Sequence, residues 1–169
     1  MNLFISDANI LIDMEAGGLM DTLFRLPMRF AMPDLLYYEE IEPGRPGLEN
    51  KGLQVMEVRG EFVAYARQLS EQYASLFAAK NGFRPSHNDY LALALAKQEV
   101  GVLLTGDANL RIVADKEGVS VKGSIWLLVA MVEHCLLAAD DALNALTRMK
   151  ADGRRLPWGQ AENMLKALR

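Results

Sequence analysis

Four carboxylates, Asp7, Glu40, Asp89 and Asp107, stand where a chain of alternating strands and helices would carry them to one place. Asp7 follows the apolar run Leu3-Phe4-Ile5 and opens Asp7-Ala8-Asn9. Asp107 follows Val102-Leu103-Leu104-Thr105 and opens Asp107-Ala108-Asn109. An apolar run that turns polar ahead of a helical pattern reads as a buried strand giving way to a helix. Both acids then lie at carboxyl ends of strands, the edge where open α/β sheets bind ligands. Glu40 falls in the helical pattern 35–41, and Asp89 in the first turn of the Ala/Leu-rich run that starts at Ser86. Carboxylates in one low-dielectric cleft repel and raise each other's pKa unless cations neutralise them. Mg²⁺ or Mn²⁺ would do so through oxygen ligands, and such an ion acidifies a bound water and takes up charge on a phosphate. Each acid also has a purely structural reading. Asp7 and Asp107 suit helix N-caps, Ser86 with Asp89 suits a capping box, and Glu40 or its neighbour Glu39 suits a solvated helix position. The joint pattern singles the set out, with Asn after both strand-end acids and Thr before the second.

The elements that must position these acids follow from periodicity and breakers. Strands are expected at 3–6, 29–32, 53–58, 102–105 and 118–121. Between them, helices are expected at 10–14 and 19–26, separated by Gly17-Gly18 and stopped by Pro27. Another covers 35–41 with Asp34 as N-cap and Pro43-Gly44 as stop. A longer one covers 61–80, ended by Asn81-Gly82. Leu and Ala alternate at 91–96 as in a strand, yet both are strong helix formers and the segment runs on to Lys97-Gln98-Glu99, so it reads as a helix. Residues 43–52, rich in Gly and Pro, read as a loop. This order implies a mainly parallel sheet covered on both faces. Beyond Ser124 the pattern is helical at 125–137, 140–150 and 157–168, with Pro157 in the first turn of the last.

A chain of 169 residues suits one well-buried core. With 51% hydrophobic and 24% charged residues it is ordinary globular material, which excludes disorder and fibrous repeats. A net charge of -4 argues against a surface that grips nucleic acid all over, but leaves room for a local basic groove. The sole cysteine, Cys135, is expected as a small buried side chain. There is no zinc spacing, no Ser/His/Asp or Cys/His nucleophile arrangement and no glycine-rich phosphate cradle. The start lacks the pattern of a secretory signal, and the apolar run 125–132 is too short to span a bilayer, so a cytoplasmic protein without membrane attachment is expected. Asn9 is expected to hold Asp7 or a metal-bound water, Thr105 to orient Asp107 through its hydroxyl, and Asn109 to support the second acid. Local bonds to the backbone are the alternative for Asn9 and Thr105. Asp13 and Asp115 are expected as surface acids, His87 as an exposed helix-start residue, and Arg148, Lys150, Arg154 and Arg155 as a solvated turn.

Taken in order over residues 3–121, Asp7-Ala8-Asn9, Glu40-Ile41, Asp89 ahead of the Ala/Leu-rich helix and Thr105-Gly106-Asp107 form a set that resembles the PIN-domain nucleases, notably the toxin-like ribonucleases of toxin–antitoxin systems. The helical tail and Gly123-Ser124 resemble a PIN-like subgroup with a C-terminal helical extension. The resemblance implies a three-layer α/β/α sandwich with a mainly parallel central sheet. It implies Mg²⁺ or Mn²⁺ dependence, with Asp7, Glu40, Asp89 and Asp107 as catalytic residues and metal ligands of an endoribonuclease. RNA, an antitoxin protein and further copies of the chain in a homo-oligomer are the partners it implies. Residues 1–123 would form the PIN-like nuclease domain, and 124–169 an extension packed on the same domain. The competing readings are a non-catalytic PIN-like module that binds RNA or protein, and a phosphatase of small esters. The second is disfavoured because Asp7-Ala8-Asn9 is not an Asp-x-Asp nucleophile motif.

Overall fold

The computed structural model describes residues 2–78 and 83–169, so the expected stop at Asn81-Gly82 lies outside the described residues. Its centre is β1 (Leu3–Ser6), buried at all four positions. A parallel strand between two helical layers has no solvent face, which is why this run is apolar without alternation. On one side β1 pairs with β2 (Arg29–Pro33), Phe4 opposite Phe30, and β2 pairs with β3 (Gln54–Met56). On the other side β1 pairs with β4 (Val102–Leu104), Ile5 opposite Leu103, and β4 pairs with β5 (Val121–Lys122). All four pairings are parallel and the order is β3-β2-β1-β4-β5. The chain builds outward from β1 to β3 and then crosses back to lay β4 against β1. Strand order therefore reverses between β1 and β4, and the carboxyl ends of that pair are where open α/β sheets bind their ligands.

Right-handed crossovers place helices on opposite faces when the direction of winding reverses. On one face lie α1 (Ala8–Ala16) and α2 (Met20–Arg25). On the other lie α5 (Gly60–Gln72), α7 (His87–Glu99) and α8 (Ala108–Lys116). α7 packs against β1, β2, β4, α5 and α8 and is buried without a break from Tyr90 to Ala96. The Leu/Ala run is thus a central helix, and the molecule is a three-layer α/β/α sandwich. After α7, Val100 takes a left-handed φ of +53° and Gly101 passes so close to β1 that a Cβ there would meet the Leu3 carbonyl oxygen at 2.8 Å. Only glycine admits that approach.

After β2 the helix α3 (Asp34–Leu36) widens into a π-helical turn, Tyr37–Ile41, closed by the bond from the Glu42 N–H to the Tyr37 carbonyl at 2.9 Å. Tyr37 and Ile41 are buried while Tyr38, Glu39 and Glu40 face solvent. Asp34 is the first helical residue rather than the cap, Pro33 standing at the cap position. The expected loop 43–52 contains a short helix, α4 (Leu48–Lys51). The long helix expected over 61–80 breaks at Tyr73, and α6 (Ala74–Ala78) follows. The Tyr65 and Tyr73 hydroxyls donate to the Glu117 carboxylate at 2.6 and 2.7 Å, tying α5 to the end of α8.

The last three helices are α9 (Ser124–Glu133), α10 (Ala139–Ala151) and α11 (Trp158–Lys166). They cover the α1/α2 side, α9 and α10 against α1 and α9 against α2, and one buried cluster runs from Leu3 to Leu165. Trp126 stacks on Phe4 of β1 with ring centres 5.3 Å apart. Pro157 occupies the cap position of α11, not its first turn. Cys135 is exposed rather than buried, in the turn after α9 at φ +58°.

Candidate active site

Asp7 ends β1, and its backbone N–H still donates to the Leu104 carbonyl of β4 at 3.0 Å. An extended backbone there (φ -79°, ψ 175°) turns its side chain over the start of α1, and Oδ1 accepts the Ile10 N–H at 2.9 Å. Oδ2 accepts the Thr105 hydroxyl at 2.5 Å. The residue is buried, only 1% exposed. Burial pushes its carboxyl up to about 7; the bonds from Thr105 and Ile10 hold it down, and the charges of Asp89 and Asp13 add to the rise.

Asp107 caps α8 after β4. Its Oδ1 accepts the N–H groups of Asn109 (2.8 Å) and Leu110 (3.2 Å). Asp89 is the acid of a reciprocal capping box: Oδ2 accepts the Ser86 N–H at 2.9 Å and its own N–H donates to Ser86 Oγ at 3.1 Å. Burial raises the Asp89 carboxyl, and the charges of Asp107 and Glu40 push it further. Glu40 is exposed on the π-turn, and its Oε2 accepts the Asn88 amide at 2.9 Å. The same nitrogen donates to Glu39 at 3.0 Å, but it is the charge of Glu40 that bears on Asp89. The four acids are therefore electrostatic neighbours at the sheet edge where strand order reverses.

Capping and convergence coexist because each cap engages only part of a carboxylate. Among the described residues, Asp107 Oδ2, Asp89 Oδ1 and Glu40 Oε1 accept no hydrogen bond. No ion pair among the described residues includes any of the four acids. Nor do three or more His, Cys, Asp or Glu side chains among the described residues already stand at ligand spacing around one point. In donor type the set fits a hard divalent cation: carboxylate oxygens only, mutually repelling, with no cationic side chain in an ion pair with them among the described residues.

The supporting residues fall differently from expectation. Thr105 does not act on the Asp107 carboxyl. Its hydroxyl donates to Asp7 and accepts the Asp107 N–H at 3.1 Å, bridging the two strand ends. Asn9 does not hold Asp7 in this structure: its exposed amide oxygen accepts from Arg154 at 3.1 Å. The Asn109 N–H donates to Asp107 while its amide donates to the Phe83 carbonyl at 3.0 Å. His87 and Asp115 are exposed, as expected.

Sequence reasoning missed Asp13. It is buried, not a surface acid, accepting the Ser124 hydroxyl at 2.8 Å and the Arg154 guanidinium at 2.6 Å. Arg154 is correspondingly half-buried, not part of a solvated turn. A signal existed: Asn9 and Asp13 are four apart, hence on one helix face, and the guanidinium takes both. Asn88 was missed too, although it sits one residue before Asp89.

Among solved structures, a chain of VapBC2 from Rickettsia felis, in a complex with a DNA fragment from their promoter, is similar at 13% identity. The likeness covers 72% of this chain and 98% of that one with a TM-score of 0.49. None of the curated proteins matches. A family model described as a PIN domain matches residues 3–169, through all five strands and the three C-terminal helices. The chain belongs to the PIN-domain family.

Proposed function

We propose that the protein is a metal-dependent endoribonuclease that hydrolyses RNA phosphodiester bonds at Asp7, Glu40, Asp89 and Asp107. The observation that carries this is the crowding of charge: Asp7 and Asp89 are pushed upward by burial and by neighbouring carboxylates, at the switch-point edge, with no cation paired to them among the described residues. The uncapped oxygens of Asp107, Asp89 and Glu40, together with Asp7, would hold Mg²⁺ or Mn²⁺. When bound, such an ion supplies an acidified water and charge neutralisation at the phosphate. The chain does the rest. Thr105 and the Ile10 N–H orient the Asp7 carboxylate, the capping bonds fix Asp89 and Asp107 on rigid helix starts, and Asn88 tethers the π-turn that carries Glu40. By family likeness the reading extends to a toxin partnered by an antitoxin protein, acting in the cytoplasm as a homo-oligomer, with residues 1–123 as the nuclease domain and 124–169 as its extension.

The test is cleavage of RNA by purified protein with Mg²⁺ or Mn²⁺, abolished by chelator and by Asp7→Asn without loss of fold. A second reading, a binding module without catalysis, is favoured by the absence of a preassembled ligand cluster among the described residues. Tight RNA or protein binding with no metal-dependent cleavage would establish it instead.

A further inference from the structure

A cleft of about 960 Å³ opens beside the acidic edge, between α8, β5, α9 and the segment that joins α10 to α11. Gly106, the residue between Thr105 and Asp107, lines it, and so does Asp13. Arg155 and Leu156, from the segment joining α10 to α11, and Met164 of α11 line it too. It therefore adjoins the Thr105–Asp107 strand end of the candidate active site and is completed by the extension.

The lining is cationic in a chain whose net charge is -4. Arg111, Lys122 and Arg155 face the cleft, and none belongs to an ion pair among the described residues. Of the two lining acids, Asp13 is already paired with Arg154, which leaves Asp115. Arg111 donates to the Thr105 carbonyl at 3.3 Å, which anchors its guanidinium at the acidic end. Lys122 stands over the Trp126 ring, 5.8 Å from its centre, and Phe4 stacks on the same ring, so the indole is a wall here. Val129 and Leu156 add apolar surface. Spaced cations over apolar walls match a polyanion whose bases are free to lie against the protein. The volume lies near the upper end of ligand pockets, about 300–1,000 Å³.

We propose that this cleft is a track for single-stranded RNA, in which the phosphates next to the scissile bond pair with Arg111, Lys122 and Arg155. The inference rests on the nuclease reading of the acid cluster and adds to it the path the strand takes and a role for the C-terminal extension.

The test uses the full chain carrying Asp7→Asn, which leaves the cleft intact, and a short fluorescein-labelled single-stranded RNA followed by anisotropy over a range of salt. Adding Lys122→Ser and Arg155→Ser, both at exposed positions, is expected to weaken binding about tenfold. It should also make the plot of log affinity against log salt shallower by about 1.4, the share of two phosphates. A duplex of the same sequence is expected to bind at least about tenfold more weakly than the single strand. Unchanged affinity and salt slope in the doubly substituted cleft would overturn the track while the nuclease reading stands. Absence of RNA binding by both proteins would overturn the track and that reading together. A labelled Glu/Asp-rich peptide that binds where RNA does not, and is lost with the two serines, would overturn RNA in favour of an acidic protein segment.

Discussion

Thr105 Oγ1 lies 2.5 Å from Asp7 Oδ2 across 98 residues of chain, and the same hydroxyl accepts the Asp107 N–H. One side chain thus joins the ends of β1 and β4 and bonds to both strand-end acids. Thr105→Val keeps the shape and removes the hydroxyl. The Asp107 N–H loses its acceptor and Asp7 loses the donor that holds its carboxyl down, so that carboxyl rises further. The expected outcome is a stability loss of about 1–3 kcal/mol by urea denaturation, with the acid limb of the pH–rate profile moved to higher pH. Thr105→Ser restores both. An unmoved limb in the valine variant would show that the bond has no bearing on the reaction.

Asp7 is held at about 7 in the fold against an ordinary value of 3.8. A folded-state pKa above the unfolded one means that the fold favours the protonated form. The stability Asp7 contributes is therefore complete below about 3.8 and lost as pH rises through about 7. Asp7→Asn keeps an acceptor for the Ile10 N–H and carries no charge. Metal-free Asp7→Asn is expected to be the more stable protein near pH 8, by on the order of 4 kcal/mol, and to match the parent near pH 4. Cleavage by the same variant should fall at least about 100-fold. Paired denaturation curves at the two pH values check the first point; a variant less stable than the parent near pH 8 would contradict it.

A divalent cation that relieves the crowded acids must also stabilise the fold. At roughly 100 times its Kd, Mn²⁺ is expected to add about 2.7 kcal/mol. The gain should fade as pH drops below about 7, where Asp7 holds a proton that binding must displace. Thermal melts with and without Mn²⁺ read this directly. No shift in Tm at saturating ion near pH 8 would count against a metal centre here.

Asp13 and Arg154 are joined 2.6 Å apart with side-chain exposures of 8% and 22%, pinning the segment after α10 to α1. Arg154→Ala strands a buried carboxylate and is expected to cost roughly 3 kcal/mol, the lower end for a buried pair because the arginine keeps some water. Asp13→Asn combined with Arg154→Ala should cost less than Arg154→Ala alone. Equal costs in urea denaturation would show that the carboxylate is not stranded.

Much of this molecule was readable from local signals. The apolar runs of β1 and β4, the Leu/Ala content of α7, the Ser86/Asp89 box and the capping by Asp7 and Asp107 each involve residues within a few positions of one another. Their energetics are decided by near neighbours: a carboxylate three residues ahead of an orphan N–H caps it whatever the rest of the chain does. Elements alternating in that way left few topologies, and a reversal of strand order brings the ends of β1 and β4 together.

Tertiary packing decided the rest. Asp13 looked like a surface acid because nothing in α1 says that Arg154, 141 residues later, and Ser124, 111 residues later, will close over it. Glu40 reaches the acids on a π-turn, a departure from regular helix that no periodicity announces. Thr105 chose Asp7 over the nearer Asp107 carboxyl because the parallel pairing of β4 with β1 aims its hydroxyl across the sheet edge. Caps and propensities are short-range and survive in the linear chain. Long-range bonds and the crowding of charge depend on which distant segments share one low-dielectric edge, and only the completed fold sets that.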